Sequence, residues 1–522
     1  MPDSQTFGIK TAKNAVWNVS FFIFSIFFGF ITAPILVRKL GLEGYGLYGL
    51  IMSILAPLNL TNLGFGEATV KYVAQYYKEK NFAKVQEYIS TTFFMSILVG
   101  VIGFILIFLF GSKVAVAIFL IPTKNLDIIH HLFHIVAFGW LLQNIVGIFL
   151  AVLPALQNYK YLTIGNTILL VFSSSVAITV VLLGGGLIGY TAATVLGSFV
   201  AMFYWYFTAK KLLPQVNFIP RLYKEVWKNS FRFGSWQTTA QVGGILANQS
   251  DKYLLGSYLS TAAVGIYNIA FSIEQTVYLI IWRLGEVLFP AFSYISDETP
   301  EHHFRLLMRA SWLLTILAVS LLIPLIPISY DLLSLWINPA VAIKGSIVLQ
   351  LMAIGGAMGC SNNATYFYLL GMGRTKVLAA ASMISGIISF TVAFLTLPVY
   401  GLKVAGLAGV VVQLIMNGIL VPLFFKKIFR QGMSYKILFA SMYAPTIIGV
   451  LVSLGLHFSG IIVSPTWFHV ILFYIIIVLL TFFLILITNH FMPYHQERED
   501  DIKILYKKFV LVIKPLFNKL KF

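Results

Sequence analysis

The sequence predicts an all-α integral membrane protein of about fourteen transmembrane helices, and three observations predict it. The 522 residues are 59% apolar and only 10% charged, with a mean hydropathy of +0.88. A soluble domain carries about 25% charged residues and under about 50% apolar ones. Apolar runs of about 20 residues, the length that crosses a bilayer, recur along the whole chain. These runs are continuous rather than alternating, which argues against a barrel. Helices are then the one way to satisfy every backbone group in lipid.

In chain order the spans are expected near 14–37, 46–66, 89–111, 132–153, 163–184, 187–208, 234–256, 263–288, 310–331, 345–370, 376–397, 404–425, 437–459 and 468–490. The first is read as a retained span, because its apolar run exceeds a signal-peptide core and no small-residue cleavage site follows. With the N-terminus placed in the cytoplasm, about 28 of the 36 lysines and arginines fall on inner segments, so both termini are expected inside. That asymmetry explains the net charge of +18 without a nucleic acid partner, while an anionic substrate stays open. Outer loops are short, the longest running from Lys113 to His131. Inner segments near 67–88, 210–232 and 293–309 are amphipathic, and Asp500–Phe522 mixes apolar residues with six lysines, as an interfacial helix on anionic lipid does.

The chain echoes itself. Gly46-Leu47-Tyr48-Gly49-Leu50-Ile51-Met52-Ser53-Ile54 opens the second span, and Gly265-Ile266-Tyr267-Asn268-Ile269-Ala270-Phe271-Ser272-Ile273 opens the eighth. Tyr159-Lys160 and Thr375-Lys376 form a weaker pair. The period is six spans, and an even number keeps both halves in one orientation, so two parallel six-helix repeats are expected. The domains follow: an N-lobe at 1–208, an inner connecting segment at 209–233, a C-lobe at 234–425, two appended spans at 426–490 and a basic cytoplasmic tail at 491–522.

Charge inside a span costs several kcal/mol unless it meets protein or water, so the seventh and eighth spans stand out. Thr238, Gln241, Asn248 and Lys252 follow one another at separations of three, seven and four residues, and share one helical face. Lipid would expel such a stripe, so it is expected against a cavity or another helix. Asp251 is adjacent to Lys252 and points about 100° away from it, so the two cannot form the usual helix pair. Glu274 has no partner in its own span. It is either a carrier of the coupling ion or a hydrogen-bonded structural carboxylate. Arg283 and Glu286, three apart, are expected to pair, as are Glu67 and Lys71. Asn59, Asn62, Gln143, Asn144, Gln350, Ser361, Asn362, Asn363, Gln413 and Asn417 are each read as interhelical glue. Together they allow a hydrated path able to hold sugar hydroxyls.

Catalytic signatures are missing. There is no G-x-x-x-x-G-K-S/T loop, no H-E-x-x-H and no nucleophile elbow. Cys360 is the only cysteine, so no disulfide or cysteine-based metal site is available. His130, His131 and His134 cluster in an outer loop beside Asp127 alone, which is a weak metal set. The expectation is a non-enzyme without catalytic residues, metal or cofactor.

Leu36-Val37-Arg38-Lys39-Leu40-Gly41-Leu42-Glu43-Gly44-Tyr45-Gly46-Leu47-Tyr48 resembles the opening signature of polysaccharide flippases, the Wzx-type members of the multidrug/oligosaccharidyl-lipid/polysaccharide exporter superfamily. Asn62-Leu63-Gly64-Phe65-Gly66 is similar to that family's glycine-containing segment. Gln249-Ser250-Asp251-Lys252-Tyr253-Leu254-Leu255-Gly256 and Pro290-Ala291-Phe292-Ser293 are similar to its D-K/R-x-x-L-G and P-x-x-S segments. The resemblance implies two six-helix lobes in a V shape around a hydrated cavity, with alternating access. It implies a polyprenyl-diphosphate-linked oligosaccharide as cargo, moved from the inner to the outer leaflet of the cell inner (cytoplasmic) membrane, with glycan assembly proteins as partners. Proton or sodium coupling is usual in that superfamily. Lys252 then meets the diphosphate, with Asn248, Gln241 and Thr238 along the same cavity face. Arg38 stands at the outer mouth, as a headgroup contact or as a loop charge at the lipid interface. Asp251 or Glu274 carries the coupling ion. A multidrug or peptidoglycan-precursor exporter of the same fold is the alternative.

Overall fold

Gly41 divides the first helix. α1 runs Ser4–Leu55, and inside it Gly41 takes φ 73° and ψ 170°, outside helical geometry. A straight 52-residue helix would be about 78 Å long at 1.5 Å per residue, more than twice the ~30 Å hydrocarbon thickness. Glycine reaches positive φ without steric cost, so the chain kinks here. A computed structural model describes residues 4–62, 65–121, 126–156, 158–286, 288–289, 292, 299–429, 435–458 and 466–489. The basic tail, Leu63-Gly64, Pro290-Ala291 and Ser293, and the side chains of Asn59, Asn62 and Glu67, lie outside that description.

All elements among the described residues are helical. α2 (Phe65–Lys78) is short and amphipathic. α3 (Phe82–Leu106) continues through one π turn into α4 (Ser112–Ile118). Asn81 caps α3, its side chain accepting from the Lys84 amide at 3.1 Å, which satisfies one of the orphan donors at a helix start. α5 (Leu126–Ala155), α6 (Tyr159–Leu182) and α7 (Gly186–Leu212) follow, then α8 (Lys224–Tyr258) and α9 (Thr261–Glu286). α10 (Pro300–Leu322) and α11 (Leu325–Trp336) fall where one span was expected at 310–331. α12 (Pro339–Cys360) and α13 (Asn363–Gly371) are split at Ser361-Asn362. α14 (Thr375–Tyr400), α15 (Leu407–Ile415), α16 (Val421–Phe429), α17 (Tyr435–Leu438), α18 (Ala444–Phe458) and α19 (Trp467–Asn489) complete the order.

Twelve helical stretches among the described residues are long and apolar enough to cross a membrane. α1 counts once among them although it is kinked at Gly41, and α8, 35 residues long, does not count because its polar residues dilute it. Fourteen spans are compatible with both facts. Large apolar side chains stand exposed along these helices, among them Leu98, Ile102, Ile105 and Leu109 on the α3 run and Phe468, Ile471, Ile475 and Leu479 on α19. A soluble surface does not carry such continuous apolar area. The protein is an all-α, multi-pass membrane protein.

The described residues fall into two compact units. One is drawn from 1–269 and 375–405, the other from 270–374 and 406–522, with the boundary inside α9 between Ile269 and Ala270. The first unit takes in α8 and α14, which pack tightly on each other, whereas the bounds expected for the lobes follow the sequence echo. The grouping reports which helices touch; the echo reports which segments are alike.

In the first unit a buried cluster joins Val85, Tyr88 and Ile89 of α3 to Val152 of α5 and to Ala201 and Trp205 of α7. In the second unit two helix starts are well specified. Thr299 caps α10, accepting from the His302 amide at 3.3 Å, with Pro300 next. Asn338 caps α12, accepting from the Val341 amide at 2.9 Å, with Pro339 next. Proline suits the first helical turn because its missing N–H has no partner there anyway.

Candidate functional site

α8 carries the predicted stripe, and two devices set its position in the first unit. The first is a strap. Between α7 and α8 the chain is held along α3 by four bonds. The Asn217 amide donates to Gln86 Oε1 at 2.7 Å, and Gln86 Nε2 donates back to the Asn217 carbonyl at 2.5 Å. The Arg221 amide donates to the Ser90 carbonyl at 3.2 Å, and the Tyr223 amide to Thr91 Oγ1 at 3.2 Å. α8 therefore begins in a fixed register against α3.

The second device is a seam of small residues. A Cβ on Gly243 would collide with the backbone of Ser382-Met383 on α14, and a Cβ on Gly386 would stand 2.5 Å from the Gly243 carbonyl oxygen. Ser389 Oγ donates to the Ala247 carbonyl at 3.2 Å, and Ser250 is fully buried. Small residues let membrane helices approach this closely. At about 100° per residue, Gly243, Ala247 and Ser250 lie on one face of α8. Thr238, Gln241, Asn248 and Lys252 centre on the opposite face. The stripe therefore looks away from α14, on the helix that also touches α1, α2 and α3.

The stripe residues differ in setting. Thr238, Gln241 and Lys252 are half-buried, whereas Asn248 is exposed and spends its amide on its own helix, donating to the Gly244 carbonyl at 2.9 Å. Gln241 reaches the wall of a half-open cavity of about 510 Å³. Phe65, Gly66 and Val70 of α2, Thr92, Met95 and Ser96 of α3, and Trp140, Gln143, Asn144 and Gly147 of α5 are among the rest of its lining.

Asp251 is buried off the stripe, where it accepts a hydrogen bond from the Tyr267 hydroxyl at 3.1 Å. Arg38 is exposed on α1, three residues before the Gly41 break. In the second unit Glu274 is buried against Gly356 of α12, where a Cβ would strike its carboxylate. Its partner is its sequence neighbour: Gln275 Nε2 donates to Glu274 Oε2 at 3.1 Å, a bond that periodicity alone does not suggest. Arg283 and Glu286 pair at 2.9 Å with both side chains exposed. Asn362 and Asn417 join α15 and its π turn to the α12–α13 break, through Gln413 Oε1 and the Met358 carbonyl, both at 3.1 Å. The histidines expected in an outer loop stand on α5, where His130 shares a hydrogen bond with Ser112 at 2.9 Å and His134 stacks on Phe108 at 4.2 Å.

From the sequence, Gln143 and Asn144 read singly as interhelical glue and, within the wider polar set, as part of a hydrated path, while Trp140 is not among the candidates. Asn144 does bind its own helix, donating to the Trp140 carbonyl at 2.9 Å, yet both it and Gln143 line the cavity. The available signal was two amides beside each other, Gly147 one turn later and Thr92 and Ser96 on the preceding span. It becomes a site only when α3 and α5 are seen side by side.

Residues 11–296, more than half of the chain, match the family described as polysaccharide biosynthesis protein. The chain belongs to that family. Within the polysaccharide biosynthesis proteins it is similar to a Shigella flexneri protein named as an O-antigen transporter, 20% identical over 379 residues, covering 70% of this chain and 86% of the relative. It is also 22% identical over 435 residues to the uncharacterized membrane protein EpsK of Bacillus subtilis (strain 168), covering 80% and 84%. Two solved structures share its fold. Lipid II flippase MurJ in an inward closed conformation matches with a TM-score of 0.70 at 16% identity, covering 90% of this chain and 97% of that one. An inward-facing multidrug resistance MATE family transporter of the MOP superfamily matches with a TM-score of 0.66 at 12% identity, covering 80% and 100%.

Proposed function

We propose that this protein carries a polyprenyl-diphosphate-linked oligosaccharide from the inner to the outer leaflet of the cytoplasmic membrane by alternating access, with both termini in the cytoplasm. Family membership and the relative named as an O-antigen transporter support the cargo class. One observation carries the mechanism: Lys252 lies on the face of α8 opposite its α14 seam, in line with Thr238 and Gln241. An ammonium ion binds phosphate oxygens through charge-assisted hydrogen bonds, and the amides and hydroxyls beside it suit sugar hydroxyls. In this reading the lobes are 1–208 and 234–425, joined by 209–233, with 426–490 appended. Arg38 meets the headgroup at release, and Asp251 or Glu274 carries a proton or sodium ion. The protein makes and breaks no covalent bond.

The test is complementation of a strain lacking its own oligosaccharide flippase. Lys252→Ala is expected to reach the membrane at normal abundance and to leave surface glycan undetectable. Full surface glycan in that strain would overturn the role of Lys252. A multidrug or peptidoglycan-precursor exporter shares this fold, and it predicts altered drug accumulation or cell-wall precursor pools with glycan unchanged.

A further inference from the structure

We infer that the cavity bounded by α2, α3, α5 and α8 in the first unit is a binding subsite for uncharged sugar rings of the cargo, separate from the group that takes its diphosphate. The inference rests on the flippase reading and adds where one part of the cargo sits.

The cavity measures about 510 Å³, within the ~300–1,000 Å³ of ordinary small-molecule sites. Its lining is mixed in the way a sugar needs. Thr92, Ser96, Gln143, Asn144 and Gln241 offer hydroxyls and amides that both donate and accept. Phe65, Val70, Met95 and Trp140 offer apolar surface for the carbon faces of a ring. None of the described lining residues carries a charge. A phosphate would lack the cations that charge-assisted bonds require, and a drug cation would lack a carboxylate. A neutral polyol fits both the donors present and the charges absent.

Space in the cavity is kept by two glycines. A Cβ built on Gly66 or on Gly147 would meet no atom within 4 Å, so each faces open volume where any larger residue would project. Close packing is the rule inside proteins, and two vacancies on facing helices, α2 and α5, leave a gap that the protein itself does not fill. Its wall is rigid. Trp140 is wedged over Gly103 of α3, where a Cβ would collide with the indole nitrogen. Thr92 shares a hydrogen bond with Thr69 of α2 at 2.5 Å. Asn144, also on α5, is held to the Trp140 carbonyl at 2.9 Å.

Purified protein in lipid nanodiscs, titrated with undecaprenyl diphosphate and with the same lipid carrying a neutral disaccharide, tests this. The wild type is expected to bind the disaccharide lipid at least tenfold more tightly than the bare lipid. Gly147→Trp, which fills the vacancy, should bring that ratio to about one. If Gly147→Trp fails to fold, Gln143→Ala with Gln241→Ala replaces it, with a ratio reduced at least threefold expected. A wild-type ratio near one, or a ratio that survives both alterations, overturns the sugar subsite and leaves the flippase reading intact. A wild type that binds neither lipid overturns both.

Discussion

Gly46 of α1 and Gly265 of α9 meet backbone to backbone. A Cβ on Gly46 would stand 2.8 Å from the Gly265 amide nitrogen and 2.7 Å from the Thr261 carbonyl carbon, and a Cβ on Gly265 would stand 2.5 Å from the Leu42 carbonyl oxygen. These are equivalent positions of the internal echo, and the next turn repeats the pattern with Gly49 against Asn268. In both stretches glycine is what lets the two backbones come this close.

Gly46→Ala should therefore be costly. The new methyl group meets backbone, which cannot rotate away, and overpacking of this kind costs about 1–3 kcal/mol. Gly244→Ala on α8 is the matched control, because its Cβ would meet nothing within 4 Å. There alanine's helix preference should hold or raise stability by up to ~1 kcal/mol. Thermal unfolding in detergent is expected to show a lower midpoint for the first variant and an unchanged or higher one for the second.

Lys252 should act through its charge rather than its bulk. Lys252→Arg is expected to keep most export, and Lys252→Met, similar in volume, to lose it. A charge-assisted hydrogen bond contributes about 1.5–3 kcal/mol, so affinity for undecaprenyl diphosphate should fall about 10- to 100-fold in Lys252→Met. Equal affinity in the two variants would assign Lys252 to packing.

Glu274 has two readings that one substitution separates. Glu274→Gln keeps the shape that fits against Gly356 and removes only the ionisable group. If Glu274 carries the coupling ion, transport into proteoliposomes should lose its response to imposed proton or sodium gradients. A response equal to that of the wild type would make Glu274 a structural carboxylate bound to Gln275.

The strap before α8 should loosen when Gln86 is shortened. Gln86→Ala removes both bonds to the Asn217 backbone, each contributing about 0.5–1.5 kcal/mol. Limited trypsin treatment of inverted vesicles is expected to cut after the exposed Arg221 several times faster than in the wild type. An unchanged rate would show that the remaining bonds hold the segment alone.

The membrane assignment and the helical order were legible because both are one-dimensional properties: apolar length fixes a span, and spacing of three and four fixes a face. The α8 stripe was readable for that reason, as was the pairing of Arg283 with Glu286. The Gln86–Asn217 strap joins residues 131 apart, and no local period announces it. The cavity was not readable either, because it is made by what two helices, α2 and α5, lack where they pass one another, and Gly66 and Gly147 resemble any other glycines in an apolar run.

What the sequence determined by itself is the solvent of this protein, its helices, its echo and which residues share the polar face of α8. Only the tertiary structure decided which way that face looks. The α14 seam takes the small residues at Gly243, Ala247 and Ser250, and the stripe is left opposite. The physical reason is that periodicity fixes side chains relative to their own helix axis, while the rotation of that axis is set by whichever neighbour approaches most closely.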